Sequence, residues 1–241
     1  MDIKNRLVLV TGAGRGIGRL MAEKLIELQA DLILVSRDAS HTKDLEEKAV
    51  AAGLKAVSFG ADLGDRKSVE ELISKLEQYD IDIVFNNAGI QVTYRSDVFD
   101  TPWEDYELSF RVNTIAPMMI CYSLFPKMKA RGFGRIINTT SGIAGEPQQG
   151  PYSASKAGLD KVTADLSRLI EDEDILIFLT DPGWCRTDLG GPMAPNDPAS
   201  AVNGCIAGAL AKKGKNGMII HAQDYADLTL EQTVEKIEAV V

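Results

Sequence analysis

Residues 11–18 read T-G-A-G-R-G-I-G and follow a short apolar run, L-V-L-V at 7–10, directly before a stretch with an apolar helical face. Glycine lets the backbone turn tightly and approach a bound phosphate, and the free N–H groups of a helix N-terminus meet the negative charge. Gly12, Gly16 and Gly18 are spaced G-x-x-x-G-x-G rather than the commoner G-x-G-x-x-G. The stretch therefore predicts a strand, a pyrophosphate-binding turn and a helix, the beginning of a dinucleotide-binding fold.

The rest of the chain repeats this alternation of apolar runs and amphipathic stretches. Further buried parallel strands are predicted at 32–35, 56–59, 83–85, 136–137 and 175–179, with a shorter last strand at 217–220. Helical spacing of apolar residues is found at 17–28, 42–52, 66–78, 103–130 and 152–172. Because strands that alternate with helices are joined by right-handed crossovers, we expect an α/β fold of the Rossmann type. Its doubly wound, mostly parallel sheet should have about seven strands, with helices on both faces.

Length and composition are those of one soluble globular domain. The chain has 241 residues, of which 45% are hydrophobic and 25% charged, and no repeat, linker or low-complexity segment divides it. We therefore expect a single nucleotide-binding domain over 1–241. The proline-rich segment 185–200 is expected to be a lid over the substrate, with a rigid connector as the alternative. In the C-terminal tail, 225–241, apolar residues at helical spacing predict a helix that packs on its own domain: Leu230, Val234, Ile237 and Val241.

The charge and the cysteine content exclude several classes of function. A net charge of -9 repels phosphate backbones and anionic lipid, so nucleic acid and membrane surfaces are not expected as partners. Cys121, Cys185 and Cys205 are an odd set without a C-x-x-C pair, which indicates neither a disulfide framework nor a metal site. No window approaches the roughly 20 apolar residues that span a bilayer. A cytoplasmic protein without a metal is expected.

The end of the second predicted strand bears on which dinucleotide is bound. This strand should end near Ser36, where a carboxylate would hold the adenosine ribose hydroxyls of NAD. Ser36 has no carboxylate, but Arg37 follows it and Arg15 lies in the glycine loop, so two guanidiniums can hold a ribose 2′-phosphate. We expect NADP(H). NAD(H) held through Asp38 is the alternative, and in a third interpretation both arginines are solvated surface charges.

Three further motifs carry chemistry: N-N-A-G at 86–89, Ser141 after I-I-N-T-T, and Y-S-A-S-K at 152–156. Tyr152 and Lys156 are four residues apart, so they share one face of a helix. A phenol can give the proton that a ketone needs when it accepts hydride. The nearby Lys156 ammonium, together with a positive nicotinamide ring, is expected to lower the pKa of that phenol. Ser141 would hydrogen-bond the substrate oxygen and stabilise its developing charge. Taken singly, each residue has an ordinary role in packing or capping, but together they predict proton-coupled hydride transfer.

With these motifs in this order, the chain from residue 6 to about 190 resembles the short-chain dehydrogenase/reductase family. The resemblance implies an NADP(H)-dependent oxidoreductase that interconverts a ketone or aldehyde and an alcohol. It adds Asn113, in R-V-N-T at 111–114, to Ser141, Tyr152 and Lys156 as the catalytic set, with Asn113 anchoring a water that relays protons to Lys156. A catalytically idle dinucleotide-sensing regulatory protein is the alternative, although a sensor does not need a proton donor.

The resemblance also implies the cofactor site. Asp62 is expected to contact the adenine ring, with capping of the helix that starts near 65 as its alternative role. Asn87 should line the cofactor groove and brace the sheet, and Thr187 should reach the nicotinamide half. The expected cofactor-binding residues are Gly12, Gly14, Arg15, Gly16, Ile17, Gly18, Ser36, Arg37, Asp62, Leu63, Asn87, Ala88, Gly89, Tyr152, Lys156, Pro182, Gly183 and Thr187.

The sequence gives the least information about substrate recognition. By family position, the expected pocket residues are Gln91, Tyr94, Ile143, Gln148, Gln149, Trp184 and Met193. The acidic run at 171–174 argues against an acidic carrier protein as partner, unless it is only a solvated helix end. Residues 182–192 resemble small carbonyl reductases, so a small-molecule carbonyl or alcohol is expected.

Two features concern packing and assembly. Cys185 stands where the family usually has an aliphatic residue, and we expect it to pack as one, with an oxidant-sensitive thiol as the alternative. In the family the helices predicted at 103–130 and 152–172 form a two-fold interface, so a homo-dimer or homo-tetramer is expected. The helical tail departs from the family pattern and puts the usual tetramer contact in doubt.

Overall fold

The computed structural model describes residues 1–171 and 173–240, and in these ranges seven strands form one sheet. The strands are β1 (Leu7–Thr11), β2 (Asp31–Ser36), β3 (Ala56–Gly60), β4 (Ile83–Asn86), β5 (Phe133–Thr139), β6 (Asp174–Asp181) and β7 (Ile219–His221). They pair in parallel in the order β3-β2-β1-β4-β5-β6-β7. The strand order reverses at β1 and β4, and such a switch point is where α/β sheets bind ligands. The predicted doubly wound fold is confirmed.

Helices cover both faces of the sheet. They are α1 (Gly16–Glu27), α2 (Lys43–Ala51), α3 (Arg66–Leu76), α4 (Trp103–Phe110), α5 (Ala116–Arg131), α6 (Gly150–Ser167), α7 (Val202–Leu210) and α8 (Leu230–Glu238). Val8 and Val10 of β1 belong to the core shared with α1, α2, α7 and α8, whereas Leu9 belongs to the core shared with α3, α5 and α6. This alternation follows from the two-residue period of a strand. Throughout the described ranges, every helix is too short or too polar to cross a membrane.

The helix predicted at 103–130 is divided in two. A π-helical turn, Arg111–Ile115, separates α4 from α5. Pro117 stands at the beginning of α5 and has no N–H with which to continue the ladder of α-helical hydrogen bonds. Widening of the helix into a π turn accommodates this loss, and such turns are frequent at functional sites. The turn carries Asn113.

The helix predicted at 152–172 ends earlier, at Ser167, and the acidic run after it has a structural role. Glu173 pairs with Lys129 at 3.1 Å, and Asp174, the first residue of β6, pairs with the fully buried Arg135 at 2.7 Å. Asp172 lies outside the described residues. Because these cations partly neutralise the acidic run, it is weaker evidence against an acidic partner than the sequence suggested.

Two helices close the fold, and the sequence indicated only the second. In α7 every residue except Asn203 is buried, so the helix has no polar face and the amphipathic period that marks other helices is absent. In α8, Leu230 and Ile237 are buried in the core and Val234 packs against it. Thr229 and Gln232 form a reciprocal capping box at the start of α8. The described part of the tail thus packs on its own domain; Val241 lies outside the described residues.

Candidate active site

The glycine loop fits tightly between β1 and α1. A Cβ placed on Gly12 would lie 2.8 Å from the Ala88 Cα, and one placed on Gly18 would lie 2.3 Å from the Gly12 carbonyl oxygen. Gly12 and Gly16 also have φ values of +71° and +56°, in the left-handed region that favours glycine. Any side chain at Gly12 or Gly18 would push the loop away from the N-terminus of α1. The glycines are therefore required by the close approach of the loop to β4 and α1.

The surroundings of this loop fit a bound dinucleotide. A Cβ on Gly16 would lie 3.4 Å from the Thr187 methyl group, so the loop and the segment after β6 lie side by side at the carboxyl ends of the strands, where a doubly wound sheet has its crevice. Directly after β4, a Cβ on Gly89 would lie 3.3 Å from Asn113 Oδ1 and 3.4 Å from Lys156 Nζ. The N-terminus of α1 offers backbone N–H groups and a positive helix dipole to a pyrophosphate. The carboxyl ends of the strands thus bring the loop that is expected to bind phosphate into the same region as Asn113 and Lys156.

The residues expected to distinguish NADP from NAD lie at the rim of the crevice. The Arg15 guanidinium contacts the Asp188 carboxylate at 2.8 Å, and both side chains are largely exposed. Arg37 is exposed directly after β2. Asp38 accepts a hydrogen bond of 2.8 Å from the Ser40 N–H, which lowers the pKa of its carboxyl, and it begins the short 3₁₀ turn that follows. The Asp38 side chain is exposed, and this contact leaves its second oxygen available for the NAD alternative.

Two further cofactor-site residues differ in their local roles. Asn87 donates a hydrogen bond of 3.1 Å to the Thr11 carbonyl oxygen, so it braces β4 against β1. Asp62 is exposed after β3, and its carboxylate accepts from the Gly64 N–H at 2.8 Å. Helix α3 is capped by Asp65, which accepts from the Ser68 N–H at 2.8 Å. The capping role considered for Asp62 is therefore wrong.

The four expected catalytic residues are positioned by α6, the π turn and the end of β5. Lys156 is 3% exposed, and its ammonium donates to the Thr139 carbonyl oxygen at 2.6 Å. Asn113 Oδ1 accepts from the Ile90 N–H at 2.9 Å, while Nδ2 donates to the Ile90 carbonyl at 2.9 Å and to Ser155 Oγ at 3.0 Å. Asn113 thus joins the segment after β4 to α6, which fixes the position of Lys156.

The electrostatics of Tyr152 differ from the expectation. Burial and the Asp181 carboxylate raise the pKa of the Tyr152 phenol, and the Ser141 hydroxyl only partly offsets them. The expected lowering by Lys156 is wrong for this structure, in which Lys156 Nζ is 6.0 Å from the centre of the phenol ring. Burial also lowers the pKa of Lys156 to about 8, although Asp160 and Asp181 favour its charged form. Tyr152 is therefore held as a proton donor at neutral pH.

Two carboxylates and a histidine near these residues were missed in the sequence. Asp160 follows Lys156 by one turn of α6, and burial raises the pKa of its carboxyl. Asp181 ends β6 and His221 ends β7, and their side chains meet at 3.3 Å, between Asp181 Oδ2 and His221 Nδ1. The i, i+4, i+8 spacing of Tyr152, Lys156 and Asp160 could have revealed Asp160. The Asp181–His221 contact depends on the pairing of β6 with β7, which the sequence does not show.

Some expected substrate residues lie together, and others lie on the exposed segment after β6. Gln91 Nε2 donates to Gln149 Oε1 at 2.5 Å, and the Ile143 N–H donates to Ser141 Oγ at 3.4 Å. The Trp184 indole donates to the Gly190 carbonyl at 2.7 Å, with its ring largely exposed. The remaining expected residues are Gln148, which is half-buried, and Tyr94 and Met193, which are exposed.

Cys185 behaves as a small apolar residue. It is buried in the core that contains α7, and burial raises the pKa of its thiol, which keeps it protonated and unreactive. The expected packing role is confirmed. Among residues 1–171 and 173–240, no group of three or more histidine, cysteine or acidic side chains is placed to hold a metal ion.

Comparisons with known proteins agree with this geometry. Residues 6–197 match the family model described as short chain dehydrogenase. An uncharacterized oxidoreductase of Thermotoga maritima is 31% identical over 189 residues, which is 77% of this chain and 73% of that protein. The 3-oxoacyl-[acyl-carrier-protein] reductase of Aquifex aeolicus is 32% identical over 199 residues, 78% of each chain. A solved metagenomic short-chain oxidoreductase in complex with NADP is 26% identical and has a TM-score of 0.75, over 91% of this chain and 98% of that one. The chain belongs to the short-chain dehydrogenase/reductase family of oxidoreductases, which act on alcohol and carbonyl groups.

Proposed function

We propose that this protein is an NADP(H)-dependent oxidoreductase that interconverts a small carbonyl compound and its alcohol. The observation that carries the proposal is the arrangement around Gly89. Asn113 and Lys156 both approach this residue at the inner end of the crevice that begins at the glycine loop. A protein that only sensed the dinucleotide would not need Tyr152 one helical turn before Lys156.

The residues divide the chemistry as follows. NADPH, when bound, supplies the hydride. Ser141 donates a hydrogen bond to the substrate oxygen and stabilises the negative charge that develops there. Tyr152, held protonated by its surroundings, gives its phenolic proton to that oxygen. Lys156 supplies positive charge beside the phenol, and Asn113 holds α6 through Ser155.

The preference for NADP(H) is supported by the rim of the crevice. Arg15 and Arg37 are both exposed there, so two guanidiniums are available to a phosphate. Guanidinium groups bind phosphate through paired hydrogen bonds, so two of them suit a ribose 2′-phosphate. The solved metagenomic relative contains NADP. The Arg15–Asp188 contact is exposed, and such a pair is worth only about 0–1 kcal/mol, so Arg15 can leave it for a phosphate.

The proposal is tested by fluorescence titration with NADPH and NADH, followed by a panel of aldehydes, ketones and quinones. We expect NADPH to bind at least about tenfold more tightly than NADH, since one phosphate held by two arginines is worth more than about 1.4 kcal/mol. The Arg15→Ala/Arg37→Ala double variant should lose this preference and retain its affinity for NADH.

The matched control for these substitutions is Arg66→Ala, which removes an exposed arginine from α3. Its cofactor affinities should equal those of the wild type. Preference for NADH in the wild type would refute the assignment of NADP(H). Tight binding of NADPH without turnover across the panel would favour the sensor instead.

We also propose that the protein is a homo-dimer or homo-tetramer. Large apolar side chains are exposed along α4, the π turn and α5, namely Trp103, Tyr106, Leu108, Ile115, Met119 and Tyr122. Exposed apolar surface of this extent is typical of interfaces. Light scattering should give two or four times the chain mass of 26.1 kDa, and an Ile115→Lys/Met119→Lys variant should reduce the mass. A wild type that scatters as one chain would contradict the proposal.

A further inference from the structure

Asp181 is a fixed carboxylate at the end of β6, next to the expected position of the substrate oxygen. Its Oδ1 accepts from the Gly183 N–H at 2.9 Å, and its Oδ2 lies 3.3 Å from His221 Nδ1. A Cβ placed on Gly142 would lie only 2.6 Å from Asp181 Oδ2. The carboxylate therefore lies close to the backbone of the residue that follows Ser141, and its own turn and His221 of β7 hold it there.

The charge of Asp181 reaches the catalytic groups. Its negative charge acts on Tyr152, where it opposes the phenolate, and on Lys156, where it favours the ammonium. The Asp181 side chain is only 14% exposed, so water screens its charge weakly. His221, by contrast, is 54% exposed and lies on the outer side of the pair.

We infer that Asp181 determines specificity by making the site select neutral carbonyl compounds over those that carry a carboxylate beside the reacting carbonyl. Ser141 fixes the substrate oxygen, so a substituent on the carbonyl carbon lies within a few ångströms of the neighbouring Gly142 and Asp181. A second carboxylate there would face Asp181 with little water between them, and like charges in that setting repel strongly. A neutral ester or alkyl group does not meet this repulsion. The inference rests on the proposed function and adds a substrate class to it.

The test compares an α-keto acid with its own ethyl ester, which differ in charge. Because the ester also activates the ketone toward hydride, the decisive comparison is between the wild type and Asp181→Asn. Phenylglyoxylate and ethyl phenylglyoxylate, or pyruvate and ethyl pyruvate, are reduced with NADPH, and kcat/KM is measured for each. We expect the wild type to prefer the ester by at least about 100-fold and Asp181→Asn to reduce this preference at least about tenfold. The ratio is the readout because a general loss of activity in the variant cancels in it.

Two further variants distinguish an effect of the Asp181 charge from an effect of the pocket's shape. Asp224→Asn removes a carboxylate from the exposed turn after β7 and should leave the preference within about twofold of the wild type. His221→Gln removes the partner of Asp181 but keeps its charge, so the preference for the ester should persist. If His221→Gln relaxed the preference as much as Asp181→Asn, the pair would act through pocket shape, and the inference would be overturned.

Failure of the inference and failure of the proposed function give different results. Equal kcat/KM for ester and acid in the wild type would overturn the inference while leaving the proposed function intact. If the panel shows a different substrate, the acid and the ester are compared as competitive inhibitors of its turnover. The ester should then bind more tightly than the acid to the wild type, and Asp181→Asn should reduce this difference at least about tenfold. NADPH binding without turnover of any carbonyl would refute the proposed function, and this inference with it.

Discussion

Replacing Tyr152 with phenylalanine should lower carbonyl reduction by about 10³-fold, within the range that a positioned general acid contributes. In the proposed function the phenol is the proton donor, and its raised pKa keeps it protonated through neutral pH. Phenylalanine preserves the ring and its packing on α6, so NADPH affinity should remain within about twofold of the wild type. Single-turnover oxidation of bound NADPH measures the chemical step separately from binding.

The control is Tyr79→Phe, which removes a phenol from a ring that packs near Phe59, 6.2 Å away between centroids. Tyr79 lies before β4, at the edge of the sheet opposite the catalytic residues. The Tyr79→Phe enzyme should therefore have the same turnover as the wild type. A Tyr152→Phe enzyme with more than about a tenth of wild-type turnover would show that the proton comes from another donor, such as water.

Most of the fold can be predicted from local sequence, because its strands and most of its helices have a clear pattern of apolar residues. The strands are continuous apolar runs, and helices such as α3 have one apolar face, so both types can be recognised within a dozen residues. Helix α7 is the exception, because Gly204 and Gly208 let it pack directly against Ala222 and Phe178 on a buried face. Its residues are small and apolar all round, and only the tertiary structure shows why they are helical.

The site was predictable to the extent that its residues lie in motifs. Tyr152 and Lys156 share a helix face at a fixed spacing, and the glycine loop directly follows a strand. The contact between Asp181 and His221 joins residues 40 positions apart, and it arises only because β7 pairs with β6. The sequence also could not show the direction of the Tyr152 pKa shift, because burial and Asp181 raise this pKa by more than the Ser141 hydroxyl lowers it. Local motifs thus identify the catalytic groups, while their charge states depend on neighbours from other segments.

Replacing Lys156 with methionine should lower carbonyl reduction by about 100-fold and remove the decline of activity at high pH. Burial lowers the pKa of Lys156 to about 8, so the ammonium is present below that pH and is lost as the pH rises through it. Wild-type reduction should therefore fall above about pH 8. Methionine has a similar length and no charge, so it fills the same buried space without titrating.

The measurement is the pH profile of single-turnover reduction between pH 6 and 10, with Lys161→Met as the control. Lys161 is on the same helix but is exposed and pairs with Asp165, so its variant should keep both the wild-type rate and the wild-type profile. Tyr152 cannot supply the same decline, because its raised pKa places its titration above that of Lys156. A Lys156→Met enzyme that still lost activity near pH 8 would assign the titration to a different group.

Asp160 and Asp181 favour the ammonium form, so replacing either with its amide should move the decline to lower pH.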